Sequence, residues 1–238
     1  MRKLGLIGGM SWASTALYYE HLNRDVARRL GGHHSARVII ESVDFAQIAT
    51  AQNAGDWDAA ARILIGCGQR LSAAGAEAIL LATNTMHKVF DRLQGALDIP
   101  VIHIADVTAM RLRADGVTRA GLLGTRFTVC EAFFRERVES FGIALAVPNE
   151  DVTCEVDRII FEELVRGTVS RVSQRTLRTQ INAFAQAKAQ AVVLGCTELV
   201  LAVDTRANII PVYDTTRLHA EAAVEWMMEE AEPARFAA

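Results

Sequence analysis

The sequence predicts an α/β protein of two pseudosymmetric domains, each a short parallel sheet of about four strands flanked by helices, with a ligand-binding cleft between the domains. Three observations support this prediction. Short apolar runs alternate with amphipathic stretches, three segments recur in the same order in the two halves, and polar residues follow several of the apolar runs. We expect residues 1–98 and 207–238 to form the first domain and residues 99–206 the second.

Eight apolar runs have the length and composition of buried strands. They are apolar throughout rather than alternating, which is typical of parallel strands covered by helices on both faces. The predicted strands are Leu4–Ile7, Val38–Glu41, Ala78–Ala82, Val101–Ile104, Ala120–Leu123, Ala144–Val147, Ala191–Leu194 and Ile209–Val212. Helices are predicted where amphipathic stretches separate the strands, such as Ser14–Leu30, Trp57–Ala73, Phe127–Phe141 and Val152–Arg166.

An internal repeat divides the strands into two sets of four. The matching segments are KLGLIGGMS (3–11) with RAGLLGTRF (119–127), AEAILLATNT (76–85) with AQAVVLGCTE (189–198), and DIPVIHIAD (98–106) with NIIPVYDTT (208–216). One such match is expected by chance among Ala- and Gly-rich strands. Three matches in the same order and at similar spacing indicate that the two halves arose by duplication.

The residues that follow the strands are candidates for the ligand site, because ligands of open parallel sheets bind beyond the carboxyl ends of the strands. The repeat aligns Thr83 with Cys196, each directly after a strand. If the two halves face each other about a pseudo-twofold axis, these two side chains lie on opposite sides of one cleft. Two such groups are suited to inverting a carbon, since one removes a proton from one face and the other returns a proton to the opposite face.

A thiol is suited to this chemistry, because backbone N–H groups and a helix N-terminus lower its pKa toward neutrality. We therefore expect Cys196 to be reactive; a buried structural cysteine is the alternative. The neighbouring loops offer hydroxyl, amide and N–H groups to a carboxylate, and ordinary helix capping is the alternative for each residue. These candidate anion-binding residues are Ser11, Asn84, Thr85, Thr125 and Thr197.

Two histidines and two acidic residues lie close to these loops in sequence. His87 is one helical turn past Thr83, and Glu198 follows Cys196 by two residues. His219 follows Asp214 near the end of the last predicted strand. We expect these four side chains to support the site residues rather than contact the ligand, with ordinary packing as the alternative for the histidines.

Composition argues against several other classes of protein. The net charge is −3 and basic residues are scattered, whereas nucleic acids and anionic membranes require a clustered positive surface. The apolar run at the N-terminus is too short for a signal peptide, and no run is long enough to span a bilayer, so we expect a cytoplasmic protein.

Cofactor and metal sites are not indicated either. The four cysteines form no CxxC pair, and no His, Asp or Glu spacing matches a metal site. The only lysines are Lys3, Lys88 and Lys188, and none has the surroundings of a pyridoxal phosphate site. We therefore expect catalysis without a bound cofactor.

Several motifs together resemble the aspartate/glutamate racemase family, part of a superfamily with the hydantoin and glutamate racemases. They are GLIGGMSWAST, SVDF, ATNTMHKV, LLGTR, IIFEEL, GCTEL and PVYDTTRLHAE, and they extend from residue 4 to about residue 228. The likeness is strongest to the bacterial members specific for L-aspartate and L-glutamate, in which the first catalytic position is also threonine.

The resemblance implies a pyridoxal-independent, two-base racemase that acts on a small amino acid and is often a homodimer. The catalytic pair of the family maps onto Thr83 and Cys196, and the substrate-contacting positions of similar enzymes map onto Met10, Gln52 and the loop Thr83-Asn84-Thr85. Arg166 falls near a basic residue that holds the substrate in some relatives.

The sequence departs from the family pattern in two places. Most members have cysteine where this chain has Thr83, and some have a substrate-binding arginine where this chain has Val43-Asp44-Phe45. A threonine hydroxyl is a poor base, although it can donate a proton. We therefore expect unequal handling of the two enantiomers, with Cys196 as the main base and, by analogy, the L-enantiomer as the better substrate.

Three alternatives remain open on the sequence alone. The first is a one-thiol enzyme similar to arylmalonate decarboxylase or hydantoin racemase. The second is a non-catalytic amino-acid-binding protein. The third, a dinucleotide-binding oxidoreductase, is suggested by GLIGGM, but this loop lacks the G-x-G-x-x-G spacing.

Overall fold

The computed structural model describes residues 1–229 and contains two four-stranded parallel sheets. The first sheet contains β1 (Leu4–Gly8), β2 (Val38–Ser42), β3 (Ala78–Leu81) and β4 (Val101–Ile102). The second contains β5 (Arg119–Leu123), β6 (Ala144–Ala146), β7 (Ala191–Leu194) and β8 (Val212–Asp214). The strand orders are β2-β1-β3-β4 and β6-β5-β7-β8, so the two sheets have the same topology and the predicted fold is confirmed.

Ten α-helices are found in residues 1–229, and they flank the sheets. They are α1 (Trp12–Leu30), α2 (Phe45–Asn53), α3 (Trp57–Ala73), α4 (Phe90–Gly95), α5 (Ile104–Ala114), α6 (Arg126–Cys130), α7 (Ala132–Glu139), α8 (Glu150–Arg158), α9 (Arg171–Gln186) and α10 (Thr215–Met228). Three 3₁₀ turns, Thr85–Val89, Leu164–Arg166 and Thr197–Leu201, complete the loops after β3, α8 and β7. No helix in the described part of the chain is both long and apolar enough to cross a membrane.

The register of the strands repeats between the halves, as the duplication requires. Gly5 of β1 pairs with Ile79 of β3, and the equivalent Gly121 of β5 pairs with Val192 of β7. Both glycines lie under a side chain: an added Cβ would be 2.8 Å from Ile79 Cδ1 at Gly5 and 2.4 Å from the Phe184 ring at Gly121. Each copy of the repeat therefore has a glycine at this position because a neighbouring side chain packs directly onto its backbone.

The two halves exchange a helix. α5 begins after β4 of the first sheet, but its Ile104 and Leu112 are buried in the cluster that covers β5 and β7 of the second sheet. α10 begins after β8 of the second sheet, yet its Val224 is buried with Leu4 and Tyr18 of the first half. The chain therefore crosses between the halves twice, after β4 and after β8.

These crossings bear on the predicted domain boundaries. The boundaries at residues 98/99 and 206/207 precede β4 and β8, so they separate each of these strands from the sheet to which it is hydrogen-bonded. We place the crossings later, at the turns that lead into α5 and α10. Residues 230–238, which the sequence assigned to the first domain, lie outside the described residues.

Three predicted elements differ from the structure by more than two residues or are interrupted in it. The last strand begins at Val212 rather than Ile209, because Pro211 has no N–H to donate to the ladder. The predicted helix Phe127–Phe141 is divided by the extended backbone of Glu131. The predicted helix Val152–Arg166 is regular only to Arg158; it then widens into a π turn and a 3₁₀ turn that end at the left-handed Gly167.

Candidate active site

A cleft opens between the carboxyl ends of the two sheets and is lined by residues of both halves. The empty space inside it is about 580 Å³, including the part open to solvent. The lining includes ten of the residues predicted from sequence: Met10, Ser11, Gln52, Thr83, Asn84, Thr85, Thr125, Cys196, Thr197 and Glu198. The structure thus brings Thr83 and Cys196 to one cleft, although their roles there remain predictions.

Cys196 lies at the floor of this cleft, in extended backbone directly before the turn Thr197–Leu201. The residue is 8% exposed, and Sγ donates a hydrogen bond to Glu198 Oε2 at 3.0 Å. Burial raises the pKa of the Cys196 thiol well above its ordinary value, and the nearby Glu198 carboxylate raises the pKa further. The expectation that this thiol has a lowered pKa is therefore wrong.

The Glu198 carboxylate is the acceptor at the centre of a small polar network. Oε1 accepts hydrogen bonds from Ser11 Oγ at 3.1 Å and from Ser14 Oγ at 2.9 Å. Oε2 accepts from Thr197 Oγ1 at 2.6 Å and from the Cys196 thiol. Four donors from both halves of the chain converge on one carboxylate, which holds it beside the thiol.

Sequence reasoning missed Ser14 in this network, although a usable signal was present. Ser14 is buried in the first turn of α1, three residues after Ser11, whose side chain caps the helix by accepting from the Ser14 N–H. Residues three apart at the start of a helix share a face, so a cap that reaches Glu198 brings Ser14 to the same carboxylate.

Thr83 lines the cleft from the first half, on the loop that leaves β3. The Thr83 carbonyl accepts a hydrogen bond from His87 Nδ1 at 2.7 Å. The other ring nitrogen, His87 Nε2, accepts from the Ile104 N–H at 3.2 Å, so the imidazole is neutral and its proton is on Nδ1. His87 therefore links the Thr83 loop to the start of α5 through its two ring nitrogens.

Three buried imidazoles lie together behind the Thr83 loop, with ring centroids 4.7 Å apart for His87–His103 and 5.6 Å apart for His87–His219. His103 Nδ1 accepts from the Ala105 N–H and so caps α5. His219 bonds Ile102 O through Nε2 and Tyr18 Oη through Nδ1. Within residues 1–229, His219 has no hydrogen bond to a residue that lines the cleft and meets the Thr83 loop through the ring of His87. Its supporting role stays a prediction.

We expect this histidine cluster to make the fold acid-sensitive. Burial lowers the pKa to about 4 for His87 and about 3 for His219, and it also lowers the pKa of His103. Because the unfolded chain binds protons first, below about pH 6.5, the free energy of unfolding should fall with decreasing pH by about 1.4 kcal/mol per pH unit for each histidine. Urea unfolding at pH 7, 6 and 5 measures this slope.

The matched substitutions are His219→Gln and His33→Gln. The first removes one buried group, so the slope between pH 6 and pH 5 should decrease by about 1.4 kcal/mol per pH unit. The second changes a ring that is exposed in the folded chain and should leave the slope unchanged. Equal slopes in the parent protein and the His219 variant would contradict the assignment.

Two other predicted site residues lie elsewhere. Asp214 caps α10 by accepting from the Thr216 N–H at 2.9 Å and lines a separate groove with His21 and Arg217. Arg166 is exposed in a neighbouring groove beside Trp12 and Leu201. Successive residues of a 3₁₀ turn point about 120° apart, so Val165 faces the cleft while Arg166 faces away from it. Among residues 1–229, no lysine or arginine side chain lines the cleft.

Sequence reasoning also missed the apolar wall of the cleft. Its members come from α2, the 3₁₀ turn after β3, the π turn Ile159–Glu163 and the 3₁₀ turn Leu164–Arg166: Phe45, Ile48, Met86, Ile160, Phe161 and Val165. A signal was present in α2, where Phe45, Ile48 and Gln52 have the spacing of one helix face. An apolar wall opposite the polar strand ends excludes water, which strengthens the electrostatic interactions of a bound ligand.

Comparisons with known proteins agree with this architecture. Residues 7–223 match the sequence profile of the Asp/Glu/Hydantoin racemase family. The chain is similar to the crystal structure of a Yersinia pestis protein assigned to the Asp/Glu racemases, with 43% identity, a TM-score of 0.91 and coverage of 96% of this chain and 100% of that one.

Two further relatives extend the comparison. The crystal structure of an aspartate racemase homologue from Pyrococcus horikoshii OT3 is 33% identical, with a TM-score of 0.85 and coverage of 96% of this chain and 100% of that one. The broad-specificity amino-acid racemase RacX of Bacillus subtilis (strain 168) is 23% identical over 169 residues, which are 71% of this chain and 73% of that protein.

Proposed function

The chain belongs to the Asp/Glu/hydantoin racemase family, and from this premise we propose that it inverts the α-carbon of aspartate or glutamate by proton transfer, without a bound cofactor. One observation carries the proposal. Thr83 and Cys196, which occupy equivalent positions in the duplicated halves, line the same cleft. A substrate Cα between them would have a proton-transferring group on each face.

Cys196 is proposed as the base for the L-enantiomer. A buried thiol beside a carboxylate does not ionise readily by releasing its proton to solvent, because burial and Glu198 both disfavour the thiolate. Transfer of the thiol proton to Glu198 Oε2, 3.0 Å away, leaves a thiolate beside a neutral acid and avoids two adjacent negative charges. The thiolate then takes the α-proton of the substrate.

Thr83 is proposed as the acid on the opposite face. Its hydroxyl donates a proton to the carbanion, which completes the inversion and leaves an alkoxide. The alkoxide regains a proton from water in the cleft, and the hydroxide so formed takes the proton held by Glu198, which restores the starting state. Thr83 Oγ1 makes no hydrogen bond within residues 1–229, so no neighbouring base is placed to deprotonate it. Removal of the α-proton by Thr83, which conversion of the D-enantiomer requires, is therefore more difficult than removal by Cys196.

The carboxylates of the substrate would be held by neutral groups. Because no cationic side chain lines the cleft in the described part of the chain, the partners are the hydroxyl and amide groups of Gln52, Thr85 and Thr125, together with N–H groups at the start of α1. The choice of aspartate or glutamate follows the names of the Yersinia and Pyrococcus relatives.

Proton NMR in deuterium oxide tests the proposal. L-Aspartate, L-glutamate and a set of neutral amino acids are incubated with the protein, and loss of the α-proton signal is followed together with chiral chromatography. We expect exchange and inversion with an acidic amino acid. Absence of exchange with every amino acid would refute the function, and exchange only with neutral amino acids would refute the substrate class.

The expected difference between the L- and D-enantiomers cannot be measured as a difference in kcat/KM. The equilibrium constant of a racemisation is 1, so kcat/KM must be equal in the two directions. Unequal bases appear instead as exchange without inversion: the L-substrate should lose its α-proton to solvent faster than it is converted to the D-enantiomer. Equal rates of exchange and inversion from both enantiomers would contradict a poor base at Thr83.

Glu198→Gln tests two effects of the carboxylate: it accepts the thiol proton, and its charge raises the pKa of the thiol. We expect kcat to fall by a factor of about 10² to 10⁴, because the thiol proton loses its acceptor. The pKa of Cys196 should decrease at the same time, because the neighbouring negative charge that raises it is gone. The ultraviolet absorbance of the thiolate, titrated with pH and corrected with the Cys196→Ser protein, measures that shift.

Either of two results would exclude this role for Glu198. If kcat stays near the parent value, or if the pKa of Cys196 rises, the carboxylate does not accept the thiol proton. Glu155→Gln is the matched control, because Glu155 is on α8 and bonds Arg158 rather than any residue of the cleft.

A further inference from the structure

Asn84 has an acceptor atom for which the protein provides no donor. Its side chain lines the cleft, next to Thr83, and is only 4% exposed. Asn84 Oδ1 is one of two buried side-chain atoms that have no hydrogen-bond partner within residues 1–229. Buried polar atoms without a partner are few in native proteins, and such an atom at a ligand site indicates a group that the ligand satisfies.

The orientation of this amide is fixed by Thr215, the first residue of α10. The Thr215 hydroxyl donates its single proton to the Leu194 carbonyl at 2.8 Å, so its oxygen is available to Asn84 only as an acceptor. Asn84 Nδ2 donates to that oxygen at 3.1 Å. A flipped amide would place Oδ1 against Thr215 Oγ1 with no proton between the two oxygens, so Nδ2 must face Thr215.

This hydrogen-bonded chain joins the two strand ends that carry the reactive pair. Asn84 follows Thr83 in the first half, whereas Leu194 ends β7 two residues before Cys196 in the second half. Thr215 lies between them and is completely buried. The hydrogen bonds therefore link Asn84, next to Thr83, to the end of the strand that leads to Cys196.

We propose that Thr215 sets the orientation of the Asn84 amide so that Oδ1 accepts a hydrogen bond from the α-ammonium group of the amino-acid substrate. This inference rests on the proposed function, since it requires an amino acid in the cleft. An ammonium group has only donors and matches Oδ1, whereas a substrate carboxylate has only acceptors and would be repelled by it. Thr215 is thus a positioning residue that acts through Asn84.

Thr215→Val and Thr216→Val are the test and its control. Both threonines are completely buried at the start of α10, and both substitutions replace a hydroxyl with a methyl group of similar size. Thr216 Oγ1 is the other buried atom without a hydrogen-bond partner in the described chain, so its loss should leave KM unchanged. Thr215→Val should raise KM about tenfold, the expected effect of one lost hydrogen bond to a charged group, with a smaller change in kcat.

A ligand that lacks the amino group distinguishes this role from a general structural one. Glutarate, or succinate if the parent protein acts on aspartate, should inhibit the parent and the Thr215→Val protein with inhibition constants within about twofold of each other. Thr215→Ser keeps the hydroxyl and should restore the KM of the parent. Asn84→Ala leaves the Thr215–Leu194 bond intact and should give the same increase in KM, which covers the case that Thr215→Val does not fold.

Three outcomes would overturn the inference: an unchanged KM in both the Thr215→Val and Asn84→Ala proteins, an equal increase in the Thr216→Val protein, or a weakening of glutarate binding that matches the increase in KM. Each of these requires that the parent protein racemises its substrate. Absence of α-proton exchange in the parent protein would refute the proposed function instead, so the two failures are distinguishable.

Discussion

Replacement of Cys196 by serine is expected to lower both α-proton exchange and racemisation by a factor of about 10³, near the middle of the range for removal of a positioned acid or base. The substitution keeps the shape of the side chain and its hydrogen bond to Glu198. A serine hydroxyl, however, holds its proton far more tightly than a thiol, so transfer to Glu198 becomes unfavourable and no base is left for the L-enantiomer. Proton NMR in deuterium oxide gives both rates in one experiment.

Cys154→Ser is the control for this substitution, because Cys154 is an exposed cysteine on α8 and does not line the cleft. Its rates should stay within about twofold of the parent, as for surface substitutions in general. A Cys196→Ser protein that kept more than a tenth of the parent exchange rate would show that the α-proton is removed by another group.

The fold was predictable because its signals are local and repeated. Uninterrupted apolar runs identify strands buried on both faces, and the alignment of Gly5 with Gly121 and of Thr83 with Cys196 follows from sequence alone. The expected division of the chain, with residues 207–238 in the first domain and residues 99–206 in the second, already assigned α10 and α5 to the halves in which they are buried. The points at which the chain crosses were expected before β4 and β8 rather than after them, because the sequence alone does not show where strand pairing ends.

The site was predictable in its location but not in its electrostatics. Residues at strand ends must meet in the cleft, whereas the direction of a side chain depends on the turn that carries it. Arg166 therefore faces a neighbouring groove, and Glu198 turns back to within 3.0 Å of the Cys196 thiol. Because this contact and burial both raise the pKa of the thiol, a cysteine after a strand did not have the lowered pKa that its sequence position suggested.

Substitutions of Thr83 should separate proton removal from inversion. In a Thr83→Val protein, Cys196 and Glu198 are unchanged, so the L-substrate should still exchange its α-proton for deuterium. Without the hydroxyl, no group returns a proton to the opposite face, and inversion should decrease by a factor of about 10² or more. The ratio of exchange to inversion should therefore rise by about the same factor.

Thr83→Cys makes the opposite change at the same position. A thiol is far more acidic than a hydroxyl, so it can act as a base as well as an acid, and the two halves would then carry the same group. We expect α-proton exchange of the D-enantiomer to increase at least about tenfold and the excess of exchange over inversion from the L-enantiomer to decrease. Chiral chromatography from both enantiomers, combined with proton NMR, measures these quantities. If Thr83→Val inverts its substrate as fast as the parent, or if Thr83→Cys leaves the D-enantiomer unaffected, the proton on that face is not handled by residue 83, and the two-base arrangement across the cleft is wrong.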